Sequence, residues 1–153
     1  MNNMKRNRFI AFVLLLIVAS STAAWAAPEG VVGSWLTLSG DVVTVSTCAN
    51  DARQLCFTVA RVSPTAPGTT DAMNPDATLR DRPLCGLRIG DGFKPDSPTT
   101  ASGGQIYDPM SGKTYSAKME SKGDTLKLRG YIGVPTLGRT ETWTRTATPP
   151  PCS

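Results

Sequence analysis

Lys113-Thr-Tyr-Ser-Ala-Lys-Met-Glu120, Thr125-Leu-Lys-Leu-Arg-Gly-Tyr-Ile132 and Leu137-Gly-Arg-Thr-Glu-Thr-Trp-Thr-Arg145 follow one another with almost nothing between them. Successive side chains of a strand leave opposite faces, so a half-buried strand alternates with period two. In the first stretch Tyr115, Ala117 and Met119 oppose Thr114, Ser116, Lys118 and Glu120. Ser121-Lys-Gly-Asp124 supplies a turn, with Gly123 able to take a positive φ. The second stretch sets Leu126, Leu128 and Ile132 against Thr125, Lys127, Arg129 and Tyr131. The third reverses the usual pattern. Arg139, Glu141, Trp143 and Arg145 share one face, and Gly138 with Thr140, Thr142 and Thr144 forms the other. Together the three read as a β-meander.

Upstream, Gly33-Ser-Trp-Leu-Thr-Leu38 and Val42-Val-Thr-Val-Ser-Thr47 flank a Ser39-Gly40-Asp41 turn. A third strand is expected over 54–62, with Leu55, Phe57 and Val59 on one face. Residues 63–83, rich in Pro and Thr, read as a long excursion, of the kind that often forms a lid or binding loop. Within it, Asn74-Pro75-Asp76 predicts a short helix start with Asn74 as the cap. Strands over 84–89 and 105–107 are expected on either side of a second loop, 90–104, rich in Gly, Pro and Thr. Eight strands without a helix long enough to cover a sheet must close or stack. The expected fold is all-β, an eight-stranded antiparallel up-and-down barrel, with a two-sheet sandwich as the alternative.

The first residues read as an address. Lys5, Arg6 and Arg8 precede an uncharged apolar run, and Ala24-Trp25-Ala26 fits a signal-peptidase site. Residues 1–26 are therefore expected to be a signal peptide and 27–153 a single domain with a Pro-rich tail at 147–153. An uncleaved anchor is the alternative, and either version exports the domain. Without the leader the chain keeps thirteen basic residues against twelve acidic ones, so the formal charge falls from +4 to +1. With no run of like charges left, nucleic-acid binding and a polybasic membrane module are not expected, nor is stable membrane insertion after cleavage. The compartment is expected to be periplasmic or extracellular.

Four cysteines in an exported chain read as two disulfides. Cys48 shares a strand face with Thr44 and Ser46, and Cys56 shares one with Thr58, so the two sit side by side on the polar faces of neighbouring strands. That leaves Cys85 for Cys152, against the alternative that both are free thiols. Zinc is not expected without a single histidine or a C-x-x-C pair.

Five motifs in order carry a resemblance: Gly33-Ser-Trp-Leu36, Asn74-Pro-Asp76, Arg80-Asp-Arg-Pro-Leu-Cys-Gly86, Gly104-Gln-Ile-Tyr-Asp-Pro109 with Ser111-Gly-Lys-Thr-Tyr115, and Leu128-Arg-Gly-Tyr131 leading to Gly138-Arg-Thr-Glu-Thr-Trp-Thr-Arg145. Together they resemble the exported bacterial family called domain of unknown function 2147, which implies a lipocalin-like barrel with no assigned reaction. The tail around Pro149-Pro-Pro-Cys152 departs from that family, so the resemblance lends nothing to the Cys85–Cys152 pairing. Lipocalins themselves resemble the chain more weakly, through a G-x-W in the first strand and an arginine in the last. Here Trp35 and Arg145 hold those positions and are expected to close one end of the barrel, the guanidinium lying on the indole face.

Chemistry finds little support in these residues. A Ser-His nucleophile is excluded by the absence of histidine, and no carboxylate pair stands out. Asp71, Asp76, Asp91 and Asp96 read as solvated turn acids rather than calcium ligands. No enzyme activity, cofactor or metal is expected. The expected role is a carrier holding a small amphipathic or anionic molecule in the barrel; the alternative is an envelope interaction or inhibitor protein that acts through 63–83 and 90–104. If Trp143 points inward, alternation carries Arg139 and Glu141 with it, and Arg139, with Arg129 or Tyr131 from the adjoining strand, would meet an anionic ligand group. The opposite placement would leave Arg139 and Glu141 in a solvated ladder on the outer wall.

Overall fold

The computed structural model describes residues 30–152; the expected signal peptide at 1–26 lies outside them. Eight antiparallel strands close into one barrel in sequence order: β1 (Gly33–Leu36), β2 (Val42–Cys48), β3 (Asp51–Arg61), β4 (Arg88–Ser97), β5 (Thr100–Asp108), β6 (Lys113–Lys122), β7 (Thr125–Tyr131) and β8 (Arg139–Thr146). Closure comes from β1 pairing with β8, Trp35 opposite Arg145. No sandwich forms, because a closed sheet leaves no unpaired edge. Among the described residues no helix is long and apolar enough to cross a membrane.

The meander and β1 to β3 follow the alternation. Leu55, Phe57 and Val59 from β3, Val43 and Val45 from β2, Ala117 and Met119 from β6, and Leu126 and Leu128 from β7 are buried in one core cluster. The expected loop at 90–104 is instead a hairpin, most of β4 and β5, turning at residues 98–99. Two bulges explain why alternation failed there. Across from Leu55 and Phe57, β4 takes three steps, from Gly90 to Phe93, where β3 takes two, and β5 does the same between Ala101 and Gly104 against β6. Each bulge holds a glycine in the left-handed region, Gly92 at φ 72° and Gly103 at φ 72°. An extra residue flips the parity of everything after it, so a continuous strand reads as patternless. The fourth strand starts at Arg88 and not at Leu84, because residues 84–87 form a turn closed by the Leu87 amide on the Leu84 carbonyl at 2.9 Å, with Gly86 at φ 81°.

The expected helix start at Asn74 is also corrected. A single 3₁₀ turn covers Ala77–Leu79, and its cap is Asp76, whose carboxylate accepts from the Thr78 amide. The Asn74 side-chain carbonyl accepts from the Asp76 amide at 2.8 Å, just ahead of that turn, while its NH2 group is held by Asp71 and Tyr107.

Both disulfides are present, Cys48–Cys56 and Cys85–Cys152. The first joins the outer faces of β2 and β3. The second fastens the tail, which leaves β8, exchanges a 3.0 Å hydrogen bond between Thr148 and Ser34 on the outside of β1, and ends beside the Ala60 carbonyl of β3. Non-reducing peptide mapping is expected to return these two linked peptides and no free thiol at Cys48. Because the first bridge closes a loop of only 8 residues, removing it should cost about 2 to 3 kcal/mol.

Candidate functional site

The two ends of the barrel are built differently. At one end the strands are joined by the short turns 49–50, 98–99 and 123–124, and the entering segment 30–32 lies across the floor. Val31 donates to the Pro98 carbonyl at 3.0 Å, and the Trp35 indole N–H donates to the Val31 carbonyl at 3.0 Å. Trp35 is fully buried, and the Arg145 guanidinium lies over its ring, 4.1 Å from the centroid. Arg145 also donates to the Gly30 and Val32 carbonyls at 2.6 and 3.2 Å, which ties the last strand to the entering chain. This end is closed.

Above that plug, Phe57, Phe93 and Trp143 form an aromatic floor, with ring centroids 4.8 Å apart for Phe57 and Phe93 and 6.0 Å for Phe57 and Trp143. Over the floor stands a cavity of about 850 Å³, open to the opposite end and walled by Val43, Val59, Ile89, Ile106 and Leu128. A volume of that size suits one small ligand. Its mouth is bordered by the four longer connections, 37–41, 62–87, 109–112 and 132–138.

Arg139, Glu141 and Trp143 lie on the cavity side of β8, opposite Gly130, Leu128 and Leu126 of β7. Trp143 is buried, whereas Arg139 and Glu141 are exposed at the mouth. Tyr131 also lines the mouth. Arg129 does not. It alternates with Leu126 and Leu128, so it lies on the outer face, where its guanidinium donates to the Pro135 and Thr136 carbonyls and to the Thr140 hydroxyl at 2.6, 3.2 and 2.8 Å. Those bonds brace the 3₁₀ turn Pro135–Leu137 against β7, a structural task.

Among the described residues four charged side chains line the cavity, and three are committed. Asp41 accepts from the Ser63 amide at 2.7 Å and the Ser39 hydroxyl at 2.6 Å; Asp108 accepts from the Met110 amide at 2.9 Å and the Ser111 hydroxyl at 2.6 Å. Glu141 accepts the Trp143 indole N–H at 2.9 Å. The Arg139 guanidinium makes no hydrogen bond or ion pair with any described residue.

The long excursion 62–87 is an ordered flap on this mouth. Residues 69–71 run against 82–84, with Leu84 donating to the Thr69 carbonyl and Asp71 to the Arg82 carbonyl at 2.8 and 3.0 Å. Asp71, which reads from sequence as a solvated turn acid, is fully buried. Its carboxylate takes hydrogen bonds from the Tyr107 hydroxyl at 2.6 Å, the Asn74 amide at 2.7 Å and Arg82 at 2.8 Å. Burial opposes its ionisation, but the bonds from Tyr107, Asn74 and Arg82 together with the Arg82 charge outweigh it and hold the carboxyl below its ordinary range. The Tyr107 hydroxyl is pushed up to about 12, first by burial and then by donating to the Asp71 anion. No local pattern announces this cluster, because Asp71 and Tyr107 are 36 residues apart.

The family described as an uncharacterized protein conserved in bacteria (DUF2147) matches residues 33–145. Among solved structures, the Helicobacter pylori protein HP1028, described as belonging to the lipocalin family, is similar over 78% of this chain and 85% of its own, at 19% identity and a TM-score of 0.68. At that identity the likeness concerns the fold. No curated protein matches the chain.

Proposed function

The chain belongs to the DUF2147 family of bacterial proteins, and from its lipocalin-like barrel we propose that it is an exported carrier that holds a small amphipathic molecule with an anionic group and performs no chemistry on it. Export is supported by the leader-like residues 1–26 and by two disulfides, which persist in oxidising compartments such as the periplasm. The observation that carries the ligand reading is the uncommitted guanidinium of Arg139 at the mouth of a cavity walled by Val43, Val59, Ile89, Ile106 and Leu128. An apolar ligand body would rest on Trp143 and the aliphatic wall of Val43, Val59, Ile89, Ile106 and Leu128, and its anionic end would meet Arg139, which offers a planar fork of donors. Tyr131, beside it at the mouth, supplies a further hydroxyl. Glu141, held by the Trp143 N–H, keeps the anion at the rim, since two like charges repel.

Native mass spectrometry of protein isolated from its own host is expected to show a retained small molecule. Thermal shift across fatty acids, isoprenoid phosphates and neutral analogues is expected to show stabilisation by anions, and Arg139→Ala is expected to lose most of it. Loss of one charged hydrogen-bonding partner is worth about 1.5 to 3 kcal/mol, or roughly ten- to hundredfold in affinity. If no anion stabilises the wild type, or the variant responds equally, the carrier reading gives way to an envelope interaction protein acting through 63–83.

A further inference from the structure

Large apolar side chains that remain exposed are not spread evenly over the barrel. Each of the four connections at the cavity mouth presents at least one: Leu38, Met73, Met110, and the group Ile132, Val134 and Leu137. The three turns at the closed end contain none, being Ala49-Asn50, Pro98-Thr99 and Gly123-Asp124. Leu38 is 77% exposed, Ile132 71% and Leu137 81%, yet all three also line the cavity opening. The apolar interior therefore continues outward over the rim without a polar break at these residues. Residues 109–112 and 132–138 carry no charged side chain, so no ion has to leave water at these two tips. Soluble surfaces that gather apolar side chains at one place mark a site of contact.

We infer that this crown docks the open end of the barrel onto the surface of a lipid bilayer. A second protein is a poorer fit to the geometry, since stable protein interfaces concentrate their energy in a closely packed centre, and the centre here is the cavity opening. Separate side chains projecting around a hole have no facing surface to pack against, but a fluid interface fills in around each of them. Seated in this way, the mouth faces the membrane and the cavity joins the acyl region through Leu38, Ile132 and Leu137, so a poorly soluble molecule passes between them without crossing water. Docking itself requires no ligand, and its failure is therefore separable from failure of the carrier reading.

The test is flotation of the full protein with vesicles of phosphatidylethanolamine containing a minority of phosphatidylglycerol, and with vesicles of phosphatidylcholine alone. The wild type is expected to float with both. Ile132→Asp with Leu137→Asp is expected to reduce the vesicle-bound fraction at least about tenfold, because two exposed apolar side chains are exchanged for charges that resist burial. Leu38→Asp is expected to weaken binding on its own. Val32→Asp, at a residue 52% exposed beside the closed end, is expected to change nothing. All these side chains are on the surface, and an unchanged melting temperature verifies the fold of each variant. Flotation that ignores the rim substitutions, or that Val32→Asp abolishes equally, overturns the inference. So does binding restricted to the anionic vesicles and removed by salt. Sedimentation equilibrium decides against a second copy: a dimer lost with the same rim substitutions would mean that another protein molecule covers the crown.

Discussion

Trp35→Ala should lower the unfolding free energy by about 3 to 5 kcal/mol, the cost of truncating a large, fully buried aromatic side chain. The reason lies in how the barrel is sealed. Trp35 sits directly opposite Arg145 at the seam where β1 meets β8, packs against the core, and donates its indole N–H to Val31 on the floor. Its removal leaves a hollow under the aromatic floor and deprives the Arg145 guanidinium of the face it lies on. The Gly30 and Val32 carbonyls would still hold that guanidinium, so Arg145→Ala probes the other half of the plug. It should cost less, with the cation–π part worth about 0.5 to 2 kcal/mol. Chemical denaturation of both variants checks the order. An unchanged midpoint for Trp35→Ala would show that the seam does not depend on the plug.

Arg82→Ala is expected to have an effect of similar size, about 3 to 5 kcal/mol at neutral pH, because it strands the Asp71 carboxylate without its cation. The pair is asymmetric: the Asp71 side chain is 0% exposed and that of Arg82 is 35% exposed, so removing the arginine harms more than removing the acid. Part of the cost should appear as release of the flap, seen as new proteolytic cuts within 62–87. Tyr107→Phe should be milder, about 1 to 2 kcal/mol, because Asn74 and Arg82 still serve the carboxylate.

The same cluster sets a pH dependence with a definite sign. The Asp71 carboxyl is held below its ordinary range in the folded protein, so it binds its proton less readily than in the unfolded chain. Its contribution is complete above the ordinary carboxylate value of about 4 and is lost as pH falls below that value and through the lowered folded one. Arg82→Ala removes part of the lowering, so the gap between variant and wild type should narrow on acidification. At the alkaline end, Tyr107 titrates near 10 when unfolded and about 12 when folded, and its contribution is present below 10 and lost as pH rises through 12. Urea midpoints measured across both windows test the two signs.

What the sequence determined by itself was whatever local alternation encodes. Tyr115, Ala117 and Met119, then Leu126 and Leu128, then Trp143 declare their faces through period two, and the same parity placed Cys48 beside Cys56 and put Arg139 and Glu141 on the face of Trp143. Eight strands without a covering helix had to close or stack, and the closed barrel, the expected one of the two, is what forms. The hairpin of β4 and β5 was not, because the bulges at Gly92 and Gly103 shift parity inside the strand and erase the signal. Contacts distant in sequence were equally hidden. Nothing near Asp71 in the chain reveals that Tyr107 and Arg82 will surround it, and nothing near Arg129 shows that the Pro135 and Thr136 carbonyls will claim its guanidinium on the outer wall. Only closure of the barrel brings β5 under the flap and gathers the four apolar connections around one opening. Alternation fixes which way a side chain points, whereas the partner it meets depends on which strands the closed sheet places side by side.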